Sequence, residues 1–215
     1  MSGYFVTGTD TEIGKTWASV ALIHAFRTQG LTVTAMKPVA AGLDAPSDAT
    51  LLAAACGRAI EAQWLNPLQF ATPASPHLSA RQEQREITLA PVLQAFASLQ
   101  GSADRMIVEG VGGWMVPLSD RLMLPDLVKT LNLPVVLVVG LKLGCLNHAL
   151  LSADKIQRDG CVLAGWIGNT VDQHMPLMEE NIATLEAAIN APLLGIIPRV
   201  AKPEDGARYI DCTKL

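Results

Sequence analysis

The stretch Gly8-Thr9-Asp10-Thr11-Glu12-Ile13-Gly14-Lys15-Thr16 follows the apolar run Tyr4-Phe5-Val6 and leads into a helical pattern, Lys15 to Gln29, that ends at Gly30. A glycine-bearing loop between a strand and a helix aims successive backbone N–H groups, together with the positive helix end, at one point where phosphate oxygens can sit. Lys15 then reaches the outer phosphates, and the Thr16 hydroxyl is placed for Mg2+. Five residues separate Gly8 from Gly14, one more than the strict phosphate-loop pattern has. Context therefore carries the reading: a strand before the loop and an amphipathic helix (Trp17, Val20, Ala21, Ile23) after it. An ordinary glycine-containing turn with a capping residue is the bland alternative.

Composition bounds what surrounds this loop. Half of the 215 residues are apolar, enough to bury roughly 70% of the unfolded surface, and the length suits one domain over residues 1–215. A net charge of −4 and a pI near 5.5 leave no basic stripe for nucleic acid. The mean hydropathy of +0.30 raises a membrane reading. However, the longest apolar run, Leu133 to Leu141, contains Pro134 and falls short of the ~20 residues that span a bilayer; it reads as a buried parallel strand. The N-terminus enters the first strand without a basic or cleavable apolar segment, so no export and a cytoplasmic location are expected. Cys56, Cys145, Cys161 and Cys212 form no C-x-x-C pair, and read as buried or inert thiols of a reducing compartment.

Along the chain, β-type runs alternate with helical ones, the pattern of an α/β fold with a mostly parallel sheet and helices on both faces. Strands are expected at Gly3–Val6, Thr32–Met36, Arg105–Val108, Pro134–Val139, Leu163–Ile167 and Leu193–Ile197. Helices are expected at Lys15–Gln29, Asp48–Cys56, Ala90–Leu99, Pro125–Leu131, Asn147–Asp159 and Pro176–Ile189. Ser47 is a natural N-cap and Pro125 suits a first helical turn. The stretch Trp64 to Gln84, with Pro67, Pro73 and Pro76 and little periodicity, reads as a surface excursion.

Ligands of such sheets bind beyond the carboxyl ends of the strands, and several of those ends carry chemistry. Lys37, after the second strand, is a second cation for phosphates or else a solvated lysine. Glu109 follows the third strand and precedes Gly110-Val111-Gly112-Gly113-Trp114. A carboxylate there is costly unless paired, and Mg2+ is an economical partner. The glycines let a ligand approach the backbone, or simply make a tight turn. Asp48 is a second acid for the metal or a helix-dipole residue. The loop Gly140 to His148 runs into a helix whose first amides can bind a carboxylate. Asn169 can read a base edge or form a turn. His24 and His148 receive no role.

Taken together, Gly8–Thr16, Lys37-Pro38-Val39-Ala40, Val108-Glu109-Gly110-Val111-Gly112-Gly113-Trp114, Leu141 to Ala149 and Ala164 to Asn169 resemble the dethiobiotin synthetases in order and spacing, from Gly3 to about Pro198. The resemblance implies a phosphate-loop NTPase fold and an ATP- and Mg2+-dependent ligase. It implies that 7,8-diaminononanoate and carbon dioxide are joined into the cyclic urea of dethiobiotin, with ADP and phosphate released. By resemblance, Lys15, Lys37 and Thr11 are catalytic, and Thr16, Asp48 and Glu109 hold Mg2+. Glu12, Ile13, Gly14, Lys15, Thr16, Trp17, Glu109, Gly112, Asn169, Pro198 and Glu204 bind nucleotide. Thr11, Lys37 and Ala41, with Leu143 and Asn147 from a partner subunit, bind the substrate, which implies a homodimer. Ala41 departs from the serine many members carry, and with it goes one hydrogen bond to the carbamate, worth ~1 kcal/mol.

Two rival readings share the loop. Nucleotide switches of the partitioning type carry an extra lysine five residues before the main one, where this chain has Asp10. Cobyrinate diamide synthases usually add a glutaminase domain, for which this length leaves no room.

Overall fold

The computed structural model describes residues 2–43 and 45–215. Its strands are β1 (Ser2–Gly8), β2 (Val33–Met36), β3 (Val39–Ala41), β4 (Leu68–Phe70), β5 (Arg105–Glu109), β6 (Val135–Leu141), β7 (Leu163–Thr170) and β8 (Leu193–Ile197). Its α-helices are α1 (Lys15–Thr28), α2 (Asp48–Cys56), α3 (Ala62–Leu65), α4 (Pro76–Gln82), α5 (Leu89–Leu99), α6 (Leu124–Leu131), α7 (Cys145–Arg158) and α8 (Met178–Ala188), followed by 3-10 turns at Pro203–Tyr209 and Cys212–Lys214.

Six strands pair in the order β2-β5-β1-β6-β7-β8, each pair parallel. All their carboxyl ends therefore share one edge. Because side chains alternate along a strand, Phe5, Met106, Val108, Leu137 and Val139 enter one core with α5 to α8. Tyr4, Val6, Ile107, Val136 and Val138 enter the other, with α1, α2 and the C-terminal turns. Strand β6 is buried along its whole length, as a strand covered on both faces must be.

Three expectations are corrected. Helix α1 is not amphipathic in place: among its residues only Trp17, Arg27 and Thr28 are exposed, because Ile210 and Cys212 of the C-terminal turns join α1's own core cluster and cover it. Strands β1, β5, β6 and β7 run one to three residues past their expected carboxyl ends. In a buried parallel strand the glycines of these extensions permit close approach: a Cβ on Gly140 would lie 2.7 Å from the Ile13 side chain. The stretch from Trp64 to Gln84 is folded: β4 pairs in parallel with β3, and Leu65, Leu68, Phe70 and Ala80 are buried. Its prolines bound short elements, with Pro76 opening α4, and elements of three to seven residues are too short to show a period.

Candidate active site

The loop from Gly8 to Thr16 takes its shape from two residues in the left-handed region, Glu12 (φ 56°) and Gly14 (φ 83°). Such alternation turns consecutive N–H groups toward one side. A non-glycine residue held there costs roughly 1–3 kcal/mol, so Glu12 is constrained by its surroundings. At Gly14 a side chain is impossible without rearrangement, since its Cβ would sit 2.2 Å from Asn169 Nδ2. Helix α1 begins with no side-chain cap. Its first N–H groups and its positive end are thereby left for a ligand. Lys15 lies back along the loop, its Nζ donating to the Asp10 carbonyl at 2.8 Å. Burial, reinforced by the charge of Lys37, pulls its pKa down to about 8, against the opposing pull of Glu109, Asp48 and Asp10.

Register assembles the rest. Val6 pairs with Glu109, and Met36 with Val108, so Lys37 leaves β2 beside the end of β5. Its Nζ donates to Glu109 Oε1 at 2.6 Å and to the Gly110 carbonyl at 3.0 Å, and lies 2.7 Å from Asp48 Oδ2. Ser47 caps α2 by accepting from the Thr50 amide, which leaves Asp48 free to face α1. Thr16 Oγ1 is 2.8 Å from Asp48 Oδ1 and 2.9 Å from Glu109 Oε1. Burial disfavours the Lys37 charge, but Glu109 and Asp48 outweigh it and raise the pKa. For Asp48 burial acts upward, and the Lys37 contact prevails and lowers it.

This cluster has more oxygen lone pairs than protons. Thr16 carries one hydroxyl hydrogen for two carboxylate neighbours, and Glu109 Oε2 is buried without a hydrogen-bond partner. Oxygen donors of this hardness, two of them carboxylates, fit Mg2+. Among the described residues, no group of three or more His, Cys, Asp and Glu offers a metal site of another kind.

A cavity of about 720 Å³ opens over the cluster, lined by Thr11, Glu12, Gly14, Lys15, Thr16, Trp17, Lys37, Ala41, Asp48 and Gly112. Glu109 is wholly buried beneath the cluster. Ile13 is buried too, and its carbonyl accepts from Asn169 Nδ2 at 2.8 Å. Asn169, like Ile13 and Glu109, is outside the lining, and four further expected residues stand apart from it. Pro198 follows the end of β8, and Glu204 is exposed on the 3-10 turn that packs on α1. Leu143, 84% exposed, and Asn147 lie on the surface at the start of α7. Conversely, the lining includes Pro73, Ala74, Ser75 and Pro76, from the stretch expected to be a surface excursion. Two prolines three residues apart stiffen a backbone, the one signal that this stretch forms a wall.

Comparison with known proteins agrees with this geometry. A family model described as an AAA domain matches residues 2–205. The ATP-dependent dethiobiotin synthetase BioD of Pseudomonas aeruginosa is 46% identical over 224 residues, covering 100% of this chain and 98% of its own. That of Aromatoleum aromaticum is 48% identical over 204 residues, covering 92% and 91%. Among solved structures, the MinC:MinD cell division protein complex of Aquifex aeolicus superposes with a TM-score of 0.58 at 13% identity, covering 96% of this chain and 86% of that one. The signal recognition particle receptor FtsY of Elizabethkingia anophelis, in complex with GDP, gives 0.56 at 16%, covering 98% and 62%. Identities that low speak for the fold alone. Full-length identity near one half, on a chain whose phosphate loop and strand-end lysine and acids meet in one cavity, is decisive: the chain belongs to the ATP-dependent dethiobiotin synthetase family.

Proposed function

We propose that this chain, acting as one domain, is an ATP- and Mg2+-dependent ligase that converts 7,8-diaminononanoate and carbon dioxide into dethiobiotin, ADP and phosphate. The observation that carries the reading is the meeting of Lys37, Thr16, Asp48 and Glu109 in one cluster, with Lys15 lining the same cavity rimmed by the phosphate loop.

The chemistry needs such a site. One amine of the substrate takes up carbon dioxide as a carbamate, an anion too poor in electrophilicity for the second amine to attack. Phosphorylation of a carbamate oxygen by ATP supplies a leaving group, and the second amine then closes the ring and expels phosphate. Ring closure is intramolecular, where good alignment is worth an effective molarity of roughly 10⁵ M or more. The protein's work is to hold the diamine still and to meet charge on the transferring phosphoryl group. The amides of Glu12 to Trp17 bind phosphate oxygens, and Lys15 and Lys37 neutralise the charge that moves. Thr11 and Ala41 border the diamine. Thr16, Asp48 and Glu109 hold Mg2+, which when bound neutralises phosphate oxygens. With its Nδ2 tied to Ile13, Asn169 offers Oδ1 as an acceptor, which suits the amino group of adenine, and Pro198 and Glu204 border the base.

The diamine also has a carboxylate at its far end. By the family resemblance, that carboxylate is met by Leu143 and Asn147 of a second copy. The exposed Leu143 and Leu151 at α7, 84% and 62% accessible, support a homodimer joined there. Among the described residues no helix is long and apolar enough to cross a membrane, in keeping with work on soluble metabolites in the cytoplasm.

The order of bond-making is tested with carbon dioxide labelled with ¹⁸O in a single turnover. An oxygen of the carbamate leaves with the phosphoryl group, so inorganic phosphate gains one labelled oxygen. Phosphate free of label would contradict the carbamate route.

A further inference from the structure

In the arrangement seen here, Lys37 cannot act on a substrate. An ammonium has three N–H donors, and those of Lys37 face Glu109 Oε1 at 2.6 Å, Asp48 Oδ2 at 2.7 Å and the Gly110 carbonyl at 3.0 Å. The side chain is 3% exposed, yet it lines the cavity. The carboxylates it occupies are those that the proposed function gives to Mg2+.

We propose that Lys37 is the resident counter-ion of Asp48 and Glu109, and that a divalent cation and the Lys37 ammonium exchange on these carboxylates, so that Lys37 turns to the reacting groups only once the metal is in place. This rests on the reading of Thr16, Asp48 and Glu109 as the metal-holding set. Three features support the exchange. Glu109 is fully buried, so the site cannot stand without a cation. Asp48 is 45% exposed on its side chain, which gives an ion a way in. The two carboxylates exceed in charge the one ammonium that bonds them, and Lys15, the other cation of the cavity, bonds a backbone carbonyl instead. Once a divalent ion shares those oxygens, repulsion drives the ammonium off. The flexible lysine stem allows it to swing into the cavity, where phosphate or carbamate oxygens receive it. Lys37 is thereby withheld until the metal has arrived.

The test measures Mn2+ binding without nucleotide by the paramagnetic resonance signal of the free ion, in the parent, Lys37→Met and Lys15→Met proteins. Lys15→Met removes a charge from the same cavity but not from the carboxylates. The expected result is binding at least about tenfold tighter in Lys37→Met than in the parent, with less than about a threefold gain in Lys15→Met, where tenfold corresponds to ~1.4 kcal/mol. Equal gains in the two variants, or none, overturn the exchange. As a check needing no variant, Mg2+ alone should speed acetylation of Lys37 in the parent, read by mass spectrometry, while leaving exposed Lys202 unchanged; an unchanged or slower rate at Lys37 also overturns it. Failure of the metal reading itself looks different: Mn2+ binding in the presence of nucleotide would then be the same in the parent and in Glu109→Gln.

Discussion

Lys15 and Lys37 line the same cavity and are held in opposite ways. Lys37 is fully paired, whereas Lys15 is buried against one carbonyl and titrates near 8. In the free enzyme Lys15 is charged below that pH and loses its charge as pH rises through it. Affinity for Mg·ATP should therefore fall above about pH 8, seen as a basic limb in kcat/KM and by calorimetry. The limb should lie higher in kcat, because bound phosphate favours the ammonium. Lys15→Ala should lower kcat by roughly 10²–10³-fold with the fold intact, since its charge acts mainly on charge that develops in the transition state. Glu109→Gln should raise the Mg2+ concentration for half-maximal rate about tenfold or more, through loss of a charged oxygen donor; an unchanged Mg2+ titration would remove Glu109 from the metal set. At this scale the sequence was legible where function is local. The loop residues Lys15 and Thr16 could be read from their place at a helix start after a strand, but the contact of Lys37 with Glu109 depends on the register of β2 with β5, which no short pattern encodes.

The long elements were legible because buried parallel strands and their covering helices leave strong apolar runs, as β6 does. Those of three or four residues, β3, α3 and β4, were not, having no period to detect; α1 was legible as a helix but looked amphipathic because the turns that cover it lie at the other end of the chain. The folded state of residues 64–84 has a direct consequence. Phe70, 1% exposed, packs with Arg85 over its ring at 4.5 Å. Phe70→Ala should cost about 3–5 kcal/mol in urea unfolding. A loss under ~1 kcal/mol would mean that this stretch is the surface excursion its prolines suggested. Because Pro73 to Pro76 wall the cavity beside α4, the same variant should also weaken diamine binding more than nucleotide binding, which a KM comparison reads.

At the scale of the whole molecule, the parallel order β2-β5-β1-β6-β7-β8 brings residues more than 90 positions apart in sequence, Thr16 and Glu109, to one edge. The fold class was legible there, since alternation of strand and helix admits few other architectures; the site beneath it is one grafted on a fold shared with proteins of quite different work. The homodimer reading rests on resemblance and on the exposure of Leu143 and Leu151, because one chain's sequence does not reveal which exposed leucines a second copy would cover. Leu143→Asp with Leu151→Asp should yield a monomer by sedimentation, with KM for the diamine raised about tenfold or more while nucleotide affinity holds, since the missing copy removes contacts to the diamine alone.

The central claim is that this cavity couples ATP cleavage to ring closure. It is tested most directly by ADP release from Mg·ATP and labelled bicarbonate, with and without 7,8-diaminononanoate, while label is followed into acid-stable product. A free carbamate loses its label in acid, whereas the cyclic urea keeps it. The account predicts ADP release that requires the diamine and is matched mole for mole by fixed label. ADP release indifferent to the diamine, with no fixed label, would contradict it and leave a phosphate-loop ATPase.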